Sequence, residues 1–128
     1  MIALCGLGGR VDQAFSLINQ MYKTLPRAIF LLSEMNISFI LHAGSNRIHA
    51  PPNVYGPCCG LIPISGPTTY TLEGFRWNLG LNLLFCILMT ENFVTEFGGM
   101  VSTSNEIDGD HVIVTTDKPL LWTIEFRV

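Results

Sequence analysis

Charge is scarce in this sequence. Only 13% of its 128 residues are Asp, Glu, Lys or Arg, the formal net charge is −3, and no basic block occurs. A nucleic-acid-binding surface needs a basic stripe or patch, so no nucleic-acid partner is expected. The chain also lacks a long apolar run. Leu81-Asn82-Leu83-Leu84-Phe85-Cys86-Ile87-Leu88-Met89 falls well short of the about 20 residues a membrane helix requires, and no membrane association is expected. No basic-then-apolar leader precedes the first glycines. Cys5, Cys58, Cys59 and Cys86 have no zinc-site spacing. Cys58 and Cys59 are adjacent, which is poor geometry for a structural bridge. Reduced, mostly buried thiols in a cytoplasmic protein are the plain reading.

What is present begins with Gly6-Leu7-Gly8-Gly9-Arg10-Val11-Asp12-Gln13. A short apolar run, Ile2-Ala3-Leu4-Cys5, leads into it, and a segment of helical spacing follows. A strand, a tight turn and a helix start would present one cation and one carboxylate to a phosphate-bearing ligand. Helix starts offer free N–H groups and a dipole that favours anions, and glycine lets backbone approach a ligand closely. No Gly-Lys-Ser/Thr follows, so this is not a Walker loop. The third glycine of a dinucleotide fingerprint is missing as well.

The apolar fraction of 48% is ample for a core. Val11, Ala14, Phe15, Ile18, Tyr22 and Leu25 recur at helical spacing and predict one amphipathic helix, stopped by Pro26. After Pro26 the pattern is strand and turn. Residues 28–32 and 37–41 predict a hairpin around Ser33-Glu34-Met35-Asn36. Ala43-Gly44-Ser45-Asn46 reads as a turn before a short strand near residues 47–49, and residues 51–57 read as a loop. Further strands are expected over 60–64, 68–72 and 111–116. The last strand alternates: Trp122, Ile124, Phe126 and Val128 face one way, and Thr123, Glu125 and Arg127 the other. The expected architecture is mainly β: an antiparallel β-sandwich or flattened barrel, preceded by the last strand–helix unit of an α/β layer.

The order of motifs resembles eukaryotic thiamine pyrophosphokinase, also called thiamine diphosphokinase. The matching pieces are Gly8-Gly9-Arg10-Val11-Asp12-Gln13, Cys59-Gly60-Leu61-Ile62-Pro63 and Gly74-Phe75-Arg76-Trp77-Asn78-Leu79. Phe97-Gly98-Gly99-Met100-Val101-Ser102-Thr103-Ser104-Asn105 and Pro119-Leu120-Leu121-Trp122-Thr123 complete the series. The resemblance implies an enzyme with an N-terminal α/β ATP-binding domain and a C-terminal β domain for thiamine. It implies a homodimer with sites at the subunit interface, and transfer of diphosphate from ATP to the thiamine hydroxyl with Mg²⁺, giving thiamine diphosphate and AMP. On this reading residues 1–27 are the end of the ATP-binding domain and 28–128 the thiamine-binding domain. Most of the ATP-binding domain, with its acidic motifs, is then missing. Residues 80–92 lengthen the stretch before Phe97, either as an insertion or as a gene-model artefact.

Phosphoryl transfer depends mainly on positioning and on neutralising charge. Gly8, Gly9 and Arg10 are the candidate phosphate-binding residues, with Arg10 offering its planar fork. Asp12 is the candidate Mg²⁺ ligand or acceptor of the alcohol's proton; a helix-start acid stabilised by the dipole is the plainer alternative. Gln13 is a candidate contact to ligand or to metal-bound water, or a solvated helix residue. Trp77 offers an aromatic face to the cationic thiamine rings, against the alternative of a core tryptophan. The resemblance assigns Ser102 and Asn105 to the aminopyrimidine edge, although such small polar runs also occur in turns. Trp122 is assigned to packing or a dimer seam. A non-catalytic thiamine-binding or dimerisation module, or a pseudoenzyme, is the competing function.

Overall fold

The computed structural model describes residues 1–4, 9–77 and 94–127. Cys5, Gly8, Cys86, Val128 and the expected excursion over 80–92 lie outside the described residues. Among the described residues one helix and ten strands follow in the order β1 (Ile2–Leu4), α1 (Val11–Lys23), β2 (Phe30–Leu32), β3 (Asn36–Leu41), β4 (Gly44–His49), β5 (Tyr55–Ile62), β6 (Thr68–Glu73), β7 (Val94–Thr95), β8 (Ser102–Glu106), β9 (His111–Thr116) and β10 (Leu120–Phe126). They form a six-stranded sheet, β1-β2-β3-β10-β5-β8, and a four-stranded sheet, β4-β9-β6-β7. Strand β1 pairs β2 in parallel, whereas the remaining neighbours run antiparallel. The six-stranded sheet therefore includes β1, from before residue 27, as well as the strands after residue 28.

The core between the sheets explains the alternation of β10. Leu120, Trp122 and Ile124 are buried with Leu61, Tyr70, Leu72, Phe75, Val112 and Val114. Trp122 is fully enclosed, with Phe75 edge-on at 6.0 Å between ring centres. Leu121 faces the other way, into a second cluster with Met21, Leu31 and Ile40 that seats α1 on the opposite face of the same sheet. Thr123 also avoids the sandwich core and accepts a hydrogen bond from Ser38 Oγ at 3.1 Å.

Helix α1 buries a different stripe from the one the spacing suggests. Met21 is buried, and Leu17, Ile18, Tyr22 and Leu25 pack on the sheet, while Val11 and Phe15 are exposed. The stripe rotates because Leu17 and Met21 join it and the first turn stands clear of the second cluster. The helix ends at Lys23 with Thr24 as its C-cap, just before Pro26.

Strand boundaries shift where corners are tied by side chains. Strand β4 begins at Gly44 (φ +105°), inside the expected turn. Asn46 Nδ2 donates to the carbonyls of His42 and Gly44 and its Oδ1 accepts from His42 N–H, so the corner is fastened from within the strand. Strand β5 begins at Tyr55, within the expected loop, because Tyr55 pairs with Phe126 at the end of β10. The polar run at 102–106 is a strand, β8, and not a loop.

Candidate functional site

Two groups of candidate residues sit at opposite edges of the six-stranded sheet. The first follows β1. Gly9 has φ +93°, and Arg10 is the N-cap of α1 with extended backbone and no side-chain cap. Instead its guanidinium reaches over the first turn. Arg10 Nε donates to Asp12 Oδ1 at 3.0 Å and Nη2 to Oδ2 at 2.5 Å. Both side chains are largely exposed. The hydrogen-bonded guanidinium holds the Asp12 carboxyl below the usual carboxylate range, and Asp12 raises Arg10 in return. Gln13 is exposed beside them. Among the described residues no group of three or more His, Cys, Asp or Glu is placed to hold a metal ion. Asp12 therefore contributes one carboxylate, already paired, and a complete Mg²⁺ site does not form from the described residues.

The second group surrounds Trp77, at the edge formed by β8. After β6 the chain turns at Gly74 (φ +83°), where an added Cβ would stand 2.9 Å from His111 O. Only glycine combines that backbone angle with so close an approach. The turn sends Phe75 into the core and lays residues 75–77 along β8. Phe75 bridges Ile107, Asp108 N–H donates to Gly74 O at 2.9 Å, and Arg76 N–H donates to Glu106 O at 2.8 Å.

At Trp77 the ladder continues through a side chain. Asn105 Nδ2 donates to Trp77 O at 3.0 Å, and Trp77 N–H donates to Asn105 Oδ1 at 3.4 Å. The Glu106 N–H also donates to that oxygen, at 2.8 Å. Asn105 is buried, yet the Trp77 that it holds is 49% exposed. The Arg76 guanidinium carbon lies 5.1 Å from the centre of the Trp77 ring, a cation–π distance. Glu106 anchors Arg76 from the side at 2.6 Å and raises its pKa.

A bulge in β8 makes this possible. Cys59 pairs Asn105 and Leu61 pairs Ser102, so Thr103 and Ser104 together oppose Gly60. Ser104 takes φ +57°, in the left-handed region. In a regular strand, residues 102 and 105 would face opposite ways. Here the extra residue buries both, with Thr103 and Ser104 exposed between them. Ser102, expected at the pyrimidine edge, is only 6% exposed and so turns away from the surface. Asn105, expected at the same edge, has its amide on protein backbone. Trp77 is exposed, as a stacking residue requires; Trp122 is core.

Sequence reasoning passed over Arg76 and Glu106 as a pair. They are thirty residues apart, and only the fold joins them. An arginine directly before a tryptophan was the available signal.

Comparison with known proteins places this geometry in a family. Residues 45–121 match the model of the thiamin pyrophosphokinase vitamin B1 binding domain. The chain is 36% identical to thiamine pyrophosphokinase 1 of Oryza sativa subsp. japonica over 99% of its own length and 45% of that protein's. It is 33% identical to thiamine pyrophosphokinase 1 of Arabidopsis thaliana, covering 44% of that protein. It thus spans less than half of the curated relatives it matches. Thiamin pyrophosphokinase from Candida albicans superposes with a TM-score of 0.83 at 28% identity, over 98% of this chain and 44% of that one. The yeast thiamin pyrophosphokinase superposes with a TM-score of 0.82 at 25% identity, over 98% of this chain and 39% of that one. With more than half of its residues matched by the family model, the chain belongs to the thiamin pyrophosphokinase vitamin B1 binding domain family.

Proposed function

We propose that this chain is the thiamine-binding part of a thiamine pyrophosphokinase, which transfers diphosphate from ATP to the thiamine hydroxyl. The observation that carries this reading is the exposed Trp77 ring on a backbone fixed at the sheet edge. A half-exposed tryptophan costs apolar hydration, and a flat cationic heterocycle such as thiamine can cover it. Arg76 lies at a cation–π distance from that ring, in keeping with a surface that can face positive charge.

The phosphate end of the reaction belongs to the other edge. Gly9, Arg10 and the start of α1 supply backbone N–H groups and a guanidinium to the transferred phosphates. Asp12, freed from Arg10 when phosphate takes the guanidinium, would accept the alcohol's proton or help to hold the Mg²⁺ that comes with ATP. Gln13 lies beside it as a contact for substrate or water. The remaining metal and nucleotide ligands come from outside this chain's described residues.

The two edges argue for a site shared between two copies. Five strand spacings separate β1 from β8, roughly 24 Å at about 4.8 Å each. Thiamine is shorter than that. A homodimer that brings the Trp77 edge of one subunit to the Arg10–Asp12 corner of its partner resolves the separation. Cys58 and Cys59 are unbridged, as a cytoplasmic location would keep them.

The test is ATP-dependent formation of thiamine diphosphate and AMP. The chain joined to a matching α/β ATP-binding domain is expected to turn over, and the 128-residue chain alone is not. Robust turnover by the chain alone would contradict the division of labour. No turnover by the joined protein, with its thiamine binding intact, would support a binding module instead.

A further inference from the structure

We infer that Asn105 is a positioning residue that presents Trp77 to the ligand, and that its amide does not itself bind thiamine. The inference rests on the reading of Trp77 as the thiamine-stacking residue and deepens it. A carboxamide has the same donor and acceptor as a peptide group. Asn105 uses both on one residue, giving Nδ2–H to Trp77 O and taking Trp77 N–H on Oδ1. It thereby acts as one more rung of the β8 ladder, after the backbone rungs at Phe75 and Arg76. The third contact, Glu106 N–H on the same Oδ1, fixes the amide's orientation. The bulge at Thr103 and Ser104 turns Asn105 inward, so the carboxamide works from beneath the surface. What emerges at the surface is the ring, 49% exposed.

Aspartate at 105 would keep the acceptor for Trp77 N–H but set a second carboxylate oxygen against Trp77 O. Alanine would remove both contacts. Glutamine would restore the chemistry one methylene away and should recover only part of the effect.

The experiment has three arms on the joined protein. Trp122 is fully buried and Trp77 is not, so in a joined protein whose ATP-binding domain carries no tryptophan, acrylamide quenching of tryptophan fluorescence reports Trp77. Asn105→Asp and Asn105→Ala are expected to raise the quenching constant at least twofold, and to weaken calorimetric thiamine affinity at least tenfold. Near-ultraviolet circular dichroism of the Trp122 core should be retained, with KM rising more than kcat falls. Trp77→Ala is the control for the underlying reading. If Trp77→Ala leaves thiamine affinity unchanged, the stacking reading fails, and quenching still decides the positioning. If Trp77→Ala weakens binding but the Asn105 variants bind and quench like the native protein, the inference about Asn105 fails. Should the Asn105 variants not fold, ¹⁵N-tryptophan labelling of the native protein gives two backbone amide signals. Slow hydrogen exchange at Trp77 is expected, and exchange at the unprotected rate would overturn the proposal.

Discussion

Arg10 and Asp12 close on each other across the first turn of α1, through two hydrogen bonds of 3.0 and 2.5 Å. The pair has a direct titration signature. The guanidinium favours the charged carboxylate, so Asp12 titrates below its ordinary value near 3.8. A depressed carboxyl contributes stability above its unfolded pKa and loses it as pH falls through the folded one. Because both groups are exposed, that contribution is screened and small. Carboxyl-resolved NMR should place Asp12 below the ordinary aspartate value, and Arg10→Ala should move it back toward that value.

Asp12→Asn in the joined enzyme should lower turnover by about 10²- to 10⁴-fold, the usual worth of a proton acceptor or metal contact at the reacting group. Thiamine affinity should change much less. Steady-state kinetics paired with calorimetry separate the two effects, and equal losses in both would place Asp12 in thiamine binding instead.

The two tryptophans should behave oppositely. Trp122 is fully buried in the sandwich core, so Trp122→Ala should cost about 3–5 kcal/mol of stability. Trp77→Ala should stay within about 0.5 kcal/mol, as for an ordinary surface change. Denaturant unfolding reads both values.

Cys59 is buried and its thiol is pushed up to about 12, chiefly by burial, with the Cys58 and Glu125 charges adding to it. The folded state then keeps a proton that the unfolded state loses from about pH 9 upward. Stability should fall between those values, by up to about 1.4 kcal/mol per pH unit. Cys59 should also resist alkylation at pH 8 until the protein unfolds, as peptide mapping after iodoacetamide treatment can show.

Gly74→Ala should destabilise by about 1–3 kcal/mol, because alanine must hold φ +83° with its Cβ 2.9 Å from His111 O. The change should also loosen Trp77, since Gly74 begins the segment laid along β8. Chemical denaturation and acrylamide quenching test the two consequences together.

The strands with a plain periodic signal were legible in the sequence. Residues 111–116 form β9 as expected, and β10 buries Trp122 and Ile124 on one face. The hairpin of β2 and β3 was legible from the Ser33–Asn36 turn, where the Ser33 hydroxyl bonds to Asn36. Strand β8 was not. Its Ser-Thr-Ser-Asn composition has turn character, and it is a strand because the fold buries Ser102 and Asn105, the latter against a partner far away in sequence. Trp77 could be proposed as a stacking residue from its motif, whereas its supports could not. Asn105 and Glu106 meet Trp77 and Arg76 only through the bulge and the Gly74 turn, neither of which leaves a periodic trace.

The most direct measurement is calorimetric titration of thiamine into native and Trp77→Ala joined protein, with sedimentation on the same samples. The account predicts binding by the native dimer, at least a tenfold loss of affinity in Trp77→Ala with the dimer intact, and no tight binding by monomer. Equal thiamine affinity in the two proteins, or tight binding by a strictly monomeric sample, would contradict it.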